Sequence, residues 1–431
     1  MVKDNLTRNK NLPIFLFARI FWAGAVVAAV LSCVPFKTAP VSTGTAIQSK
    51  LPAEKTGPSK PPLTALTLKA AYQADDLEDL PKIFSDDLDK ASLIQAVENQ
   101  LAAMADAGPD PVRLGKLVIT RDRLKETLTE FLGLLKKDLP PEEWSRQIRD
   151  RFVFYEAGDG TGNAVAFTGY YAPVLKASRF QTEEYAYPLY SMPENLLKIA
   201  RVGRKDPSDT DKEYRAVYRA RNLTREEIDA HQALANQNLE IAWVRDAIEG
   251  FFLHVQGSGI LEYVNGTRES VQYVGSNGYP YAGIGRLMIE DGLLKKGETS
   301  MQGIKKYLKN HPDDIPKYFF RNKRYIFFKL TDDLPRGSGG GVLVPNRSIA
   351  TDKSWYPAGG LAFVVGQKPV LDDADEIAGW KKFSRFVVDQ DTGAAIQGPA
   401  RADLYFGTGD RAGAAAGYYM ARNKMFYLVK K

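Results

Sequence analysis

From residue 85 onward, apolar positions recur first at helical intervals and then, past residue 158, at the intervals of strands. Ile94, Val97, Leu101 and Met104 follow a 3-4-3 spacing, which predicts a helix over Ser85–Ala107 that stops at Gly108-Pro109. Thr120 is placed to cap a second helix, with Leu124, Leu128, Phe131, Leu132 and Leu135 on one side. A third helix is expected near Glu142–Phe152, after Pro140-Pro141. Beyond Gly158-Asp159-Gly160 the texture turns aromatic and β-branched, and AVAFTGYYAPVL (164–175) reads as a strand. The charged stretch 198–225 reads as surface loop, and Thr224-Arg225-Glu226-Glu227 has the form of a capping box opening a helix over Arg225–Gln237. FFLHVQGSGILEYV (251–264) and SVQYVGSNGYPYAGIG (270–285) read as short strands with turn residues. A helix over Met301–Leu308 and the strand RYIFFKL (324–330) follow. In the last hundred residues LAFVVG, RFVVDQDTG, ADLYFGTG and FYLVKK are separated by Gly and Asp, a texture compatible with a small barrel. Periodicity alone supports a helical start and a β-rich remainder.

Ahead of this folded part, Lys3, Arg8 and Lys10 precede a nearly uninterrupted apolar run from Leu12 to Ser32. Its densest part, IFWAGAVVAAVLS (20–32), has about the length of a secretory core segment and runs directly into Cys33. Val30-Leu31-Ser32-Cys33 resembles a bacterial lipobox, in which the cysteine is acylated; the alternative is an uncleaved signal anchor. Either reading exports the chain and tethers it to a membrane. Val34 stands where an inner-membrane lipoprotein would carry aspartate, which points to the periplasmic face of the outer membrane. Residues 34–63, rich in Pro, Ser, Thr and Lys, read as a flexible linker.

Composition narrows the function classes. With 431 residues, 44% hydrophobic and 26% charged, the chain can bury a core and is neither disordered nor collagen-like. Its length suggests two or three domains. A net charge of +6 favours an anionic partner or surface but does not imply nucleic acid. Cys33 is the only cysteine, so no intrachain disulfide forms, and three histidines without a CxxC argue against zinc. The glycine runs at 257–259 and 337–341 lack the Lys-Ser/Thr of a phosphate loop and the strand–GxGxxG–helix setting of a dinucleotide site. No cofactor and no metal are expected.

The remaining candidate chemistry lies in carboxyls and tyrosines. Asp391 and Asp403 sit in DTGAAIQGPARADLYFGTGD, where an acid could protonate a glycosidic oxygen if burial raises its pKa. Asp403, between Ala402 and Leu404-Tyr405-Phe406, is the one expected to be desolvated; Asp391, beside Gln390, Thr392 and glycine, is expected to stay polar and ionised. Aspartate beside glycine is ordinarily only a turn residue. Tyr170, Tyr171, Tyr185, Tyr187, Tyr190, Tyr279 and Tyr281 form a set able to stack on sugars while hydrogen-bonding hydroxyls.

Six segments then occur in one order: FTGYYAPVL (167–175), YPLY (187–190), FFLHVQGSG (251–259), VGSNGYPYAGIGRLMIEDG (274–292), PNRSIATDKSWYPAG (345–359) and DTGAAIQGPARADLYFG (391–407). Together they resemble the membrane-bound lytic murein transglycosylase A (MltA) family across roughly residues 85–431, and the last resembles its three-aspartate "3D" module. The resemblance implies a mainly β fold with N-terminal helices. A double-psi β-barrel domain, 64–175 plus 328–431, would carry the catalytic residues, with a smaller inserted β domain, 176–327, and a cleft between the two. It implies non-hydrolytic cleavage of the MurNAc–GlcNAc β-1,4 bond of peptidoglycan, leaving 1,6-anhydromuramyl ends. Asp403 matches the family's general acid and then base, and Asp391 a second acidic position in the cleft. Thr168, Tyr170, Gln256 and Ser258 match groove positions that bind glycan. The implied partners are peptidoglycan glycan strands, a membrane through a lipid on Cys33, and wall-synthesis proteins of unspecified identity. The sequence departs from the pattern at Ala394, where a glycine is usual, and in an enlarged charged loop at 198–221. Two other readings keep the same residues: an inverting-type glycoside hydrolase using both aspartates and a water, and a non-catalytic wall-binding lipoprotein.

Overall fold

The fold was analysed in a computed structural model that describes residues 70–71, 80–105, 111–160, 164–194, 223–295, 298–332 and 334–431. Cys33, the apolar segment, the linker and the charged loop at 198–221 lie outside the described residues. Three helices open the folded part: α1 (Lys90–Ala103), α2 (Arg121–Leu135) and α3 (Pro141–Arg151). Helix α1 is shorter than its apolar spacing predicts. Asp89 caps it, accepting from the Ser92 amide, and the preceding Asp86 and Asp87 are drawn away to two buried arginines, Arg347 and Arg385. Thr120 caps α2 as expected, through the Arg123 amide.

The larger sheet has eight strands. β1 (Ala70–Ala71), β4 (Phe152–Glu156), β5 (Val165–Ala172), β12 (Ser348–Thr351), β13 (Gly360–Leu371), β14 (Ile377–Asp391), β15 (Arg401–Thr408) and β16 (Met420–Lys430) run in the order β1-β4-β16-β13-β14-β12-β15-β5. Strand β16 also pairs with β5, so β5, β16, β13, β14, β12 and β15 close into a six-stranded ring. Two of its pairings, β12–β14 and β15–β5, are parallel, and the others are antiparallel. Phe167, Ile349, Ala362, Val364, Leu404 and Met425 fill one face of this barrel wall. Leu361, Phe363, Phe386, Phe426 and Leu428 point the other way, under α1 and α2. Coverage on both faces is why LAFVV and FYLV are unbroken apolar runs where a half-exposed strand would alternate.

A small hairpin, β2 (Pro111–Leu114) with β3 (Leu117–Thr120), leads into α2. Between β5 and β12 the chain builds a second sheet from β6 (Val174–Ser178), β7 (Tyr187–Tyr190), β8 (Glu240–Val244), β9 (Ser258–Tyr263), β10 (Arg268–Ser276) and β11 (Ile326–Thr331). The order is β11-β10-β9-β6-β8-β7, and Tyr190 and Phe327 of the two edge strands share one buried cluster that curls the sheet. Helices α4 (Arg225–Asp229), α5 (Ala247–Gln256), α6 (Ile284–Glu290), α7 (Met301–Asn310) and α8 (Asp314–Arg321) surround it, and α9 (Gly409–Tyr418) joins β15 to β16.

Two expectations are corrected here. FFLHVQ is helical in α5: Asp246 caps its start and Gly257, at φ 83°, ends it in the left-handed conformation. The strand begins only at Ser258. Helix α4 does open on the expected capping box but stops at Asp229, short of Gln237; Gln232 and Asn236 beyond it have positive φ, incompatible with helix.

Candidate active site

Asp403 lies on β15, whose burial alternates from Arg401 to Leu404. Ala402 and Leu404, its apolar neighbours in sequence, point into the barrel core, while Arg401 and Asp403 share the outer face. The Thr168 hydroxyl, on the paired strand β5, donates to Asp403 Oδ1 at 2.5 Å. Arg401 Nε donates to the same oxygen at 3.3 Å, and Arg401 Nη2 to Thr168 Oγ1 at 2.8 Å. Asp403 Oδ2 has no hydrogen-bond partner among the described residues, and the side chain is 16% exposed. One oxygen is thus fixed by Thr168 and Arg401, while the other meets no hydrogen-bonding group among the described residues.

Asp391 reaches this face through an irregularity in the sheet. Strand β14 pairs with β12 as Ile349↔Asp389 and then Ala350↔Asp391, so Gln390 is an extra residue. This bulge reverses the alternation. Asp389 points inward, accepting from Thr351 Oγ1 at 2.5 Å and Tyr427 Oη at 2.7 Å and pairing with Lys353. Asp391 turns outward. Ala350 is also the partner of Asp403, so the two aspartates flank one residue from either side. Two strand spacings put their backbones roughly 10 Å apart.

The glycine-rich run closes over the bulge. Gly339 N–H donates to Gln390 O at 2.9 Å, and a Cβ on Gly337 would lie 2.2 Å from that same oxygen. This approach brings the Ser338 amide to Asp391 Oδ1 at 2.8 Å, where the Thr392 amide also donates at 2.8 Å. Burial nevertheless outweighs these amides and the nearby Lys353, and it raises the Asp391 carboxyl above its ordinary value. Asp391 thus stands in more enclosed surroundings than its polar neighbours in sequence led one to expect, shaped by the loop at 337–341 together with the Thr392 amide.

Tyr170 stands on β5 opposite Tyr405, the ring centroids 5.2 Å apart. Its hydroxyl is buried without a hydrogen-bond partner of good geometry, and burial followed by the Asp391 charge pushes its pKa well up. Gln256 ends α5 and accepts from the Tyr171 amide at 3.1 Å, which ties the second sheet's helix to β5 beside Tyr170. Ser258 opens β9 opposite Gln272 and hydrogen-bonds neither aspartate. Thr168, Asp403, Asp391 and Tyr170 are thus brought together, Gln256 joins them through backbone, and Ser258 stands apart. Of the tyrosine set, Tyr171, Tyr185 and Tyr190 are buried, while Tyr187 is 47% exposed. Arg401, Lys353 and Ser338 were not singled out from sequence; only Arg401, two residues before Asp403 on a strand, carried a readable signal.

Residues 166–329 match the MltA specific insert domain, and residues 347–429 match the 3D domain. The membrane-bound lytic murein transglycosylase A of Escherichia coli strain K12 is 31% identical over 276 residues, spanning 63% of this chain and 67% of that protein. Its counterpart in Vibrio cholerae serotype O1 is 32% identical over 265 residues, 61% of this chain and 64% of that protein. Among solved structures, a membrane-bound lytic murein transglycosylase from Agrobacterium tumefaciens superposes with a TM-score of 0.65 at 29% identity, over 79% of this chain and 93% of that one. Escherichia coli MltA with bound chitohexaose has the same fold, at a TM-score of 0.63 and 23% identity over 85% and 95% of the two chains.

Proposed function

Because the chain belongs to the membrane-bound lytic murein transglycosylase A family, we propose that Asp403 is the group that carries its chemistry. The chain is a lytic murein transglycosylase, an enzyme acting on peptidoglycan. In the proposed reaction the Asp403 carboxyl gives its proton to the glycosidic oxygen as the bond from muramyl C1 breaks. The muramyl C6 hydroxyl then attacks C1, and its proton passes to the Asp403 carboxylate, which restores the acid. A 1,6-anhydro ring is left and no water is consumed.

A single acid suffices for this sequence because the nucleophile belongs to the substrate, so positioning takes the place of an activated water. Asp391 stands on the same face and serves the positive charge that grows on the sugar ring. The observation that supports the reading best is the Thr168–Asp403–Ala350–Asp391 row across β5, β15, β12 and β14, with Asp403 Oδ2 unbonded. Thr168, Tyr170, Gln256 and Ser258 are proposed as glycan contacts, in line with the chitohexaose carried by the Escherichia coli structure. Acylation of Cys33 and the linker to residue 63 are proposed to hold the enzyme at the periplasmic face of the outer membrane.

Mass spectrometry of products from purified sacculi tests the proposal. The wild-type chain should release 1,6-anhydro muropeptides, and Asp403→Asn should lower their release at least about a thousandfold while still sedimenting with sacculi. Reducing ends carrying oxygen from labelled water would reveal a hydrolase and overturn the reaction. Cys33→Ala should move the chain from the membrane fraction to the soluble one, as fractionation and immunoblotting would record.

A further inference from the structure

A row of cations lies one step along the strands from Asp403. Strand β5 places Ala166 between Arg401 of β15 and Arg422 of β16, just as it places Thr168 between Asp403 and Met420. The step from one row to the next is two residues, or about 6.6 Å. Arg401 spends Nε on Asp403 and Nη2 on Thr168, which leaves Nη1 uncommitted, and its side chain is 34% exposed. Arg422 is exposed; its one hydrogen bond goes from Nη1 to the Ala164 carbonyl at 3.3 Å, and no carboxylate pairs with it among the described residues. Met420, 76% exposed, adds an apolar surface beside Thr168.

A muramyl sugar differs from a plain N-acetylhexosamine by a lactyl ether at C3 that carries a carboxylate-bearing stem peptide. If Asp403 meets the glycosidic oxygen at muramyl C1, that peptide leaves the same sugar ring, within a few ångströms of the reacting atoms. Resting on the function proposed above, we infer that Arg401 and Arg422 form a subsite for the carboxylates of the muramyl stem peptide, so that this chain selects peptide-bearing over peptide-free glycan strands. Two guanidiniums flanking one strand suit a flexible branch with several carboxylates, because each still has N–H groups to donate to one.

Fluorescence titration of the full chain with short murein strands tests this, using one pool with intact stem peptides and one stripped by an amidase, in which the only carboxylate left on each muramyl sugar is that of the lactyl ether. The wild-type chain should bind the peptide-bearing pool about fivefold more tightly, and the gap should shrink as salt rises. Arg422→Gln should bring the ratio of the two affinities toward one, and Arg401→Gln should do the same. Arg422 touches neither aspartate, so its variant decides the matter even if Arg401→Gln disturbs Asp403. Equal affinity of the wild-type chain for both pools, or an unchanged ratio in Arg422→Gln, would overturn the subsite. The products are assayed separately for anhydro ends. A chain that prefers peptide-bearing strands but leaves free reducing ends would sink the proposed reaction and leave the subsite standing.

Discussion

At the scale of single residues, the two outward aspartates sit in different surroundings despite sharing Ala350. Asp403 is held by a hydroxyl and a guanidinium, whereas Asp391 is held by backbone amides inside a loop. Burial raises Asp391 from an ordinary 3.8. A raised carboxyl means that the folded chain binds this proton more tightly than the unfolded one. Its contribution to stability is therefore complete below 3.8 and fades as pH climbs through the folded value. Asp391→Asn should flatten that decline in thermal melts between about pH 4 and 7, and should slow anhydromuropeptide release by roughly tenfold without abolishing it. A folded but wholly inactive variant would make Asp391 indispensable. The sequence made both carboxyls visible but not their environments, because the flanking Ala402 and Leu404 face away from Asp403. Strand period alone would have placed Arg401 beside Asp403. It would also have placed Asp389 on the face of Asp391, which is wrong.

That error belongs to the level of elements. The bulge at Gln390 has no signature in DQDTG, since it arises from pairing with β12, forty residues earlier in the chain. Its support is the close approach of the loop at 337–341, where the glycine run that lacks a phosphate-loop setting instead packs against the bulge. Gly337→Ala would drive a methyl against Gln390 O, 2.2 Å away, so the loop must retreat and take the Ser338 amide from Asp391. Urea unfolding should report a loss of about 1–3 kcal/mol, and turnover should fall in the same variant. The amphipathic helices α1 to α3 were readable because one face of each stays wet. Helix α5 was not, because Ile248, Phe251, Phe252, Leu253 and His254 are buried around its circumference and leave no polar stripe. Its ends nevertheless carry ordinary helix signals that went unread, Asp246 and Gly257, ten residues of helix apart.

For the whole molecule, long-range pairings set both stability and the site. Arg347 and Arg385 are fully buried, and their charges are met by Asp86 and Asp87 from the segment ahead of α1. Burial alone would raise Asp87, but Arg385 and Lys368 outweigh it and hold the carboxyl below 3.8. The sign is opposite to that of Asp391: this stabilisation is present above 3.8 and is lost as pH falls through the lowered value. Asp87→Asn should therefore lower the melting temperature at pH 7 and lessen its further fall on acidification, as calorimetry across pH 2–7 would record. None of these partners is near in sequence, so no local pattern announced them. The same is true of closure. Strand β16 is bonded to β4, β5 and β13, and the Lys431 amide donates to Arg151 O. Thr168 is fixed between β15 and β16, so the strand that closes the ring also braces the residue that grips Asp403. Whatever loosens β16 from β5 therefore slackens the hydroxyl that steadies Asp403, two strands away, without touching the carboxyl itself.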